Sequence, residues 1–210
     1  MPRILASLAV VFTLASVAAA ASKTYSFEDP KNVNSIGIFL DSRLEPIRGV
    51  AHGVTGDIHY DSADPAGFTG EIAVDPTRIQ MANPKMTEAL QGQKWLNVQA
   101  FNTITFKFTG ARVVEQHENV TKLEVQGVFT ALGLEVNKTV TLTATLIPDG
   151  VKQRNMQGSG DLLILRGAFT VTRKELGLQL GTGNDHVADT IQLDVAIAGF
   201  EKVENTEKTE

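Results

Sequence analysis

The sequence predicts an all-β protein, an antiparallel β-barrel of about eight strands with a short helical insertion. Apolar and polar residues alternate through most of the chain, which is the period of strands with one wet face. Threonine and valine are frequent in these segments, and both favour strands. Turn residues separate the segments at Asp29-Pro30, Asp64-Pro65, Asp149-Gly150 and 181–184.

The clearest alternation runs through residues 103–109, 140–146 and 191–197. In each segment one face is apolar, so each is predicted to be a half-buried strand. The same reasoning predicts further strands at 24–28, 35–41, 47–60 with a bend near Gly53, 69–75, 111–115, 122–130 and 162–172.

Residues 77–97 break the strand period. Thr77 to Met81 is predicted to form a short helical turn. Asn83 suits a helix N-cap and Pro84 suits the first helical position, so a helix is predicted over 84–91. We find no repeat or linker, and one domain over residues 22–200 is expected.

Many amphipathic strands in one domain have to bury their apolar faces together. Closing the sheet into a barrel does this and also removes the sheet edges. A β-sandwich satisfies the same pattern, and alternation alone leaves it open as the alternative.

Residues 1–21 have the composition of a secretory signal peptide. Arg3 is the only charged residue, an apolar run follows from Ile4 to Val17, and small residues offer cleavage near Ala20 and Ala21. An uncleaved membrane anchor is the less favoured alternative. We therefore expect a periplasmic or extracellular protein, and residues 201–210 are expected to be a solvated charged tail.

The charge balance argues against several partners. The chain has 19 basic and 24 acidic residues, a formal net charge of −5. Nucleic acid is not expected as a partner, because phosphate binding needs a basic surface. Docking on an anionic membrane by net charge is disfavoured too, and no stable membrane insertion is expected once the signal is removed.

No catalytic motif stands out, so no enzyme activity, catalytic residue or metal site is predicted. The chain has no cysteine, and none of its four histidines lies at ligand spacing from another. Asp57, Asp61 and Asp64 fall at a strand end and turn, where aspartate usually caps the turn. Loss of an activity on their mutation would be needed to revive an enzymatic interpretation.

Three segments together resemble the YceI-like family of secreted, lipocalin-like proteins that bind polyisoprenoid lipids. Residues 56–65 have the family's strand followed by an Asp-x-x-Asp-Pro turn, with Tyr60 at the aromatic position. Residues 83–106 follow its helical segment without a gap, and 173–178 resemble its Arg-x-Asp-Phe-Gly motif. The order and spacing of these pieces carry the resemblance across nearly all of the mature chain.

The resemblance implies an elongated apolar channel that holds an isoprenoid-type lipid, either a polyprenyl chain or a quinone. No other cofactor is implied, and a homodimer stays open. The predicted ligand contacts are Ile38, Leu40, Ile58, Tyr60, Ile72, Met86, Leu90, Trp95, Leu96, Ile104, Phe106, Phe108, Phe129, Leu142, Leu165, Phe169 and Leu193. An ordinary filled core would use the same inward faces, which would leave a secreted interaction protein without ligand as the alternative.

The helical segment departs from the family pattern at its polar positions. Met86 stands where the family commonly has arginine, Ala89 where it has histidine, and Lys94 and Asn97 where it has aspartate. A charged headgroup would need compensating charges or hydrogen bonds there. We therefore expect a neutral lipid or quinone rather than a pyrophosphate, unless the lost cluster served only to stabilise the helix in relatives.

Overall fold

The computed structural model describes residues 22–154, 156, 158–178 and 186–203. The predicted signal peptide, the turn predicted at 181–184 and the end of the predicted tail lie outside these residues. The described strands are β1 (Lys23–Ser26), β2 (Ser35–Ser42), β3 (Ile47–Ala51), β4 (Val54–Tyr60), β5 (Thr69–Val74), β6 (Ile79–Met81), β7 (Ile104–His117), β8 (Val120–Ala131), β9 (Leu134–Ile147), β10 (Leu162–Thr172) and β11 (Val187–Glu201). Two helices, α1 (Pro84–Gln91) and α2 (Gly150–Gln153), and two 3-10 turns at Pro65–Gly67 and Pro76–Arg78 connect them.

The sheet closes into a barrel because β1 pairs with two strands at once. Tyr25 lies opposite Ile58 of β4 and also opposite Glu201 of β11. Following the pairing from β1 through β4, β5, β7, β8, β9 and β10 to β11 returns to β1, a closed antiparallel ring of eight strands. The predicted barrel is therefore confirmed, and the sandwich alternative is wrong.

Three further strands extend one end of the ring. The first part of β11 pairs with β2, which pairs with β3, which in turn pairs with β6. β3 and β4 are the two arms of the segment predicted as one bent strand. The chain bends between them at Gly53, which has a φ of +69°. Any other residue is disfavoured there, because its Cβ would be strained at this φ and would meet the Arg78 side chain.

The prediction of a helical turn over Thr77 to Met81 is only partly right. The turn is formed by Pro76–Arg78, where the Asp75 carboxylate accepts a hydrogen bond from the Thr77 amide. Ile79–Met81 is instead a strand, because it pairs with Gly49–Ala51 of β3. Pairing with a distant strand overrode the local preference.

Helix α1 begins and ends where the sequence predicts. The Asn83 side chain accepts a hydrogen bond from the Met86 amide at 2.9 Å. The helix lies along the outer edge of β6, where Thr87 Oγ1 accepts from the Met81 amide at 2.9 Å and Gln91 Nε2 donates to the Ile79 carbonyl at 3.2 Å. Two side chains one helical turn apart thus satisfy backbone groups that a neighbouring strand would otherwise pair.

We name the opposite end of the barrel, where α2 follows β9, the base, and polar contacts attach the segment after β1 to this part of the barrel. Asn34 is buried there, donates to the carbonyls of Phe27 and Ala198, and accepts from the Ala198 amide. The buried Asp29 carboxylate pairs with Arg154, just after α2, at 3.2 Å. We name the end that carries α1 the mouth end.

Candidate ligand cavity

An apolar cavity of about 110 Å³ lies inside the barrel. Seventeen of its eighteen lining residues are apolar, and Thr105 is the exception. The lining residues are Ile36, Ile38, Ala51, Ile72, Val74, Ile79, Ile104, Thr105, Phe106, Phe108, Phe129, Val140, Leu142, Leu165, Phe169, Leu193, Val195 and Ile197. The cavity therefore suits a hydrocarbon group far better than a polar one.

Aromatic side chains form a connected cluster along the cavity wall and towards the base. Phe106 packs against Phe108 and Phe169 with ring centroids 4.9 and 5.5 Å apart, and Phe129 reaches Phe169 at 5.9 Å. Phe108 also contacts Phe68, which is fully buried nearer the base. Four of these rings line the cavity, and the cluster continues through Phe68 into the buried core nearer the base.

The core nearer the base contains a buried pair of polar side chains. The Tyr60 hydroxyl and Thr121 Oγ1 lie 3.0 Å apart, and both residues are about 1% exposed. Burial raises the pKa of the Tyr60 hydroxyl, and the hydrogen bond with Thr121 opposes part of that change. Tyr60 is therefore a satisfied, neutral core residue.

Ten of the seventeen predicted contact residues line the cavity. They are Ile38, Ile72, Ile104, Phe106, Phe108, Phe129, Leu142, Leu165, Phe169 and Leu193. Leu40, Ile58 and Tyr60 are buried but are not among the lining residues. Their side chains belong to the packed part of the core, so direct contact with a ligand stays a prediction for them.

The other four predicted contacts lie at the mouth end. Leu90, Trp95 and Leu96 are half-buried and pack against the core, while Met86 is half-buried on α1. None of the four lines the cavity as it stands. Contact of these four residues with a ligand therefore stays a prediction.

Arg173 is a buried cation at the mouth end. It is 2% exposed, and its guanidinium lies 5.9 Å from the centre of the Trp95 ring. Its Nε donates to the Ala188 carbonyl at 3.0 Å and its Nη2 to the Val187 carbonyl at 2.6 Å. The side chain thus joins the end of β10 to the start of β11.

Eight lining residues were missed in the predicted set. Ile36, Val74, Val140, Val195 and Ile197 continue the alternation of predicted neighbours and could have been found from it. The alternation did not mark the other three. Ala51 lies in a short strand, Ile79 in a segment predicted as a helical turn, and Thr105 at a position with a polar side chain. Their contribution depends on how the strands are arranged in space.

Two of the three aspartates considered for catalysis have different partners, and the Asp64 side chain makes no capping hydrogen bond at the Pro65–Gly67 turn. The Asp57 carboxylate pairs with Lys202 at 2.6 Å, and Asp61 accepts a hydrogen bond from the Ala63 amide at 2.8 Å.

Within the described residues, no group of three or more histidine, aspartate or glutamate side chains is placed to hold a metal ion. No helix in the same residues is long and apolar enough to cross a membrane.

A closed antiparallel barrel with an internal apolar cavity defines the class of protein. Residues 28–198 match the model of the YceI-like domain, and the chain belongs to the YceI-like family. Two UPF0312 proteins, one from Shewanella sp. strain W3-18-1 and one from Shewanella putrefaciens, are each 26% identical over 150 residues. That alignment covers 70% of this chain and 71% of each relative.

Solved structures with the same fold come from several bacteria. BcnA of Burkholderia cenocepacia is similar with a TM-score of 0.63 at 16% identity, covering 79% of this chain and 95% of BcnA. A polyisoprenoid binding domain from Saccharophagus degradans, implicated in plant cell wall breakdown, gives 0.62 at 6% identity, covering 86% and 99%. A YceI protein of Campylobacter jejuni gives 0.62 at 14% identity, covering 74% and 85%. At these identities the likeness establishes the fold.

Proposed function

We propose that this protein is a secreted, non-catalytic carrier that holds a neutral isoprenoid-type lipid, a prenyl chain or the tail of a quinone, in the barrel cavity. The observation that carries the proposal is the cavity lining, which is apolar at seventeen of eighteen residues. The polyisoprenoid binding described for the Saccharophagus degradans domain with the same fold supports the ligand class.

The size of the cavity bears on how much of the ligand enters. Its 110 Å³ is smaller than the roughly 150 Å³ apolar cavity known to hold benzene in another protein. The space therefore suits the end of a prenyl chain, and a longer stretch requires side chains near the mouth end to move. Each buried CH₂ contributes about 0.8 kcal/mol, so five carbons supply roughly 4 kcal/mol before association costs.

The side chains at the mouth end favour a ligand with a neutral headgroup. Met86 and Ala89 on α1 offer no charge, and the two Arg173 donors described above are engaged by backbone carbonyls. A pyrophosphate would need strong donors to replace its hydration. We therefore expect the protein to bind through the prenyl chain, without the added affinity for a pyrophosphate that charged donors at the mouth end would give.

Native mass spectrometry tests this proposal with farnesol, farnesyl pyrophosphate and a short-chain ubiquinone as added probes. We expect uptake of all three, with similar retention of farnesol and its pyrophosphate, and extraction should return each probe chemically unchanged. Failure to take up any probe would point to a filled barrel. Strong selectivity for the pyrophosphate would contradict the neutral headgroup, and a converted probe would contradict carriage.

A matched pair of variants locates the binding. Ala51 is buried and lines the cavity, whereas Ala168 is exposed on β10. Ala51→Leu should reduce farnesol uptake by about tenfold or more, because the added carbons occupy the space, while Ala168→Leu should leave it unchanged. Ala51→Val serves as the smaller step if thermal unfolding shows that Ala51→Leu does not fold. Equal uptake by the inward and outward variants would place the probe elsewhere.

A further inference from the structure

Lys138, near the start of β9, is a lysine on the inward face of the barrel. The pairing of β8 with β9 runs without a shift along both strands, so alternate residues of β9 keep the same face throughout. Lys138 therefore shares its face with Val140 and Leu142, which both line the cavity. Its side chain is only 15% exposed, and a charge in such surroundings needs a partner.

Lys138 lies at a level of the barrel that the cavity also occupies. It is opposite Gly127 on β8, and the next inward residue of β8 towards the mouth end is Phe129, which lines the cavity. On β9 the lining residue Val140 is two positions away, about 7 Å along the strand. Lys138 is not itself a lining residue, and its ammonium is bonded to Glu175 in the turn after β10.

The Glu175 carboxylate neutralises this lysine. Lys138 Nζ donates to both carboxylate oxygens at 2.9 Å. The Thr172 amide and hydroxyl donate to Oε2 of the same carboxylate at 2.7 and 3.0 Å and hold it in place. The hydrogen bond from Lys138, together with those from Thr172, lowers the pKa of the Glu175 carboxyl, which is therefore ionised at neutral pH.

The ion pair presents no net charge to a ligand at the mouth end. An anionic headgroup that approaches Lys138 also meets the Glu175 carboxylate, so attraction and repulsion offset each other. Without that carboxylate, the partly buried ammonium would lack a counter-charge, and a pyrophosphate would supply one. Arg173 does not depend on Glu175, because its Nε and Nη2 are bonded to backbone carbonyls.

We propose that Glu175 determines the headgroup specificity of the cavity, by neutralising Lys138 and so removing the preference for a prenyl pyrophosphate that a free lysine would create. An ammonium has three N–H donors, so one remains for the oxygen of an alcohol or a quinone when two are directed at the carboxylate. The inference rests on the proposed function, because a headgroup is selected here only if its chain is bound in the cavity.

Equilibrium dialysis with geraniol and geranyl pyrophosphate tests this role of Glu175. The two probes share one chain, so the ratio of the affinity for the pyrophosphate to that for the alcohol isolates the headgroup. The geranyl chain is also short enough to leave its headgroup close to the ion pair. We expect Glu175→Gln to raise this ratio by about tenfold, because the freed ammonium gains a charge-assisted hydrogen bond to the pyrophosphate. Glutamine still accepts hydrogen bonds from Thr172, so the turn should be retained.

Three further variants show whether the effect acts through Lys138. The double variant Lys138→Met/Glu175→Gln should return the ratio to within about twofold of the unchanged protein, because no free ammonium remains. Lys138→Met alone should lower the ratio, because the carboxylate then repels the pyrophosphate. Glu135→Gln is the matched control, since it removes an exposed carboxylate from the outward face of β9 at the same end. It should change the ratio by less than about twofold, because solvent screens that charge.

A purely structural ion pair would change the stability and the uptake of both probes without changing their ratio. The inference is therefore overturned, with the proposed function intact, if both probes bind and Glu175→Gln shifts the ratio no more than Glu135→Gln does. A raised ratio that persists in the double variant would also overturn it, because Lys138 would not be the group that Glu175 neutralises. Binding of neither probe by the unchanged protein would reject the proposed function and this inference with it.

Discussion

Gly127 offers the sharpest test of the packing around the cavity. It lies in β8 opposite Phe108, and the Phe106 ring covers it from the neighbouring strand. A Cβ added at Gly127 would lie 2.2 Å from Phe106 Cε1 and 2.7 Å from the Lys107 carbonyl oxygen. Gly127→Ala must therefore displace the Phe106 ring. The ring lines the cavity, so the cavity is the space into which it can move.

The cost of this substitution can be worked out from two opposing effects. Overpacking in a filled core costs roughly 1–3 kcal/mol, and alanine in a strand recovers about 0.5–1 kcal/mol relative to glycine. The two effects leave a net loss of roughly 0–2.5 kcal/mol. Because the added Cβ meets a backbone oxygen as well as the ring, we expect Gly127→Ala to lower the free energy of unfolding by about 1–2 kcal/mol. In a Phe106→Leu background the ring contact is gone and only the Lys107 carbonyl remains, so the cost should fall by about 1 kcal/mol.

Urea unfolding followed by circular dichroism measures both differences. Gly110→Ala is the matched control, because a Cβ at Gly110 meets no atom within 4 Å. That control should raise the free energy of unfolding by about 0.5–1 kcal/mol, because it has the same strand preference for alanine without the clash. The reasoning fails if Gly127→Ala is as harmless as Gly110→Ala, or if its cost is the same with phenylalanine or leucine at position 106.

Two further predictions concern polar groups. Thr121→Val should lower the free energy of unfolding by about 1–3 kcal/mol, because it leaves the buried Tyr60 hydroxyl without a partner, and Tyr60→Phe in the same protein should recover part of it. Urea midpoints of the single and double variants check this, and no recovery would contradict it. The hydrogen bond from Lys138, with help from the Thr172 amide, lowers the pKa of Glu175 below its usual 4.5. The ionised carboxylate therefore stabilises the fold above pH 4.5, and that contribution is lost as the pH falls through the lower folded-state pKa. Glu175→Gln should show a smaller fall in urea midpoint over this range, and an unchanged pH dependence would refute the assignment.

Local signals in the sequence predicted the elements well where neighbours along the chain decide the structure. The bounds of α1 follow from Asn83 as N-cap and Pro84 at the first helical position. β10 occupies Leu162–Thr172, as the alternation predicts. β7 runs unbroken from Ile104 to His117, whereas two segments were predicted, because Gly110 lies at a shift in the pairing with β8 rather than at a strand end.

Prediction from the sequence failed where a distant partner decides the conformation. Ile79–Met81 looks like part of a helical turn, yet β3 on one side and the α1 side chains on the other make it a strand. The candidate site has the same limit. Ala51 lines the cavity because it is small and faces inward across from larger side chains, and no periodic signal marks it.

The sequence by itself determined which faces of the strands are apolar, where the helix lies and, through its motifs, the family resemblance. Alternation carries this information because each side chain's direction depends only on its own strand. Only the tertiary structure decided that β1 closes the ring and that a space remains between opposing faces. Closure and volume depend on how residues far apart in sequence meet, such as Phe106 with Phe169, and a pattern along one strand does not contain those distances.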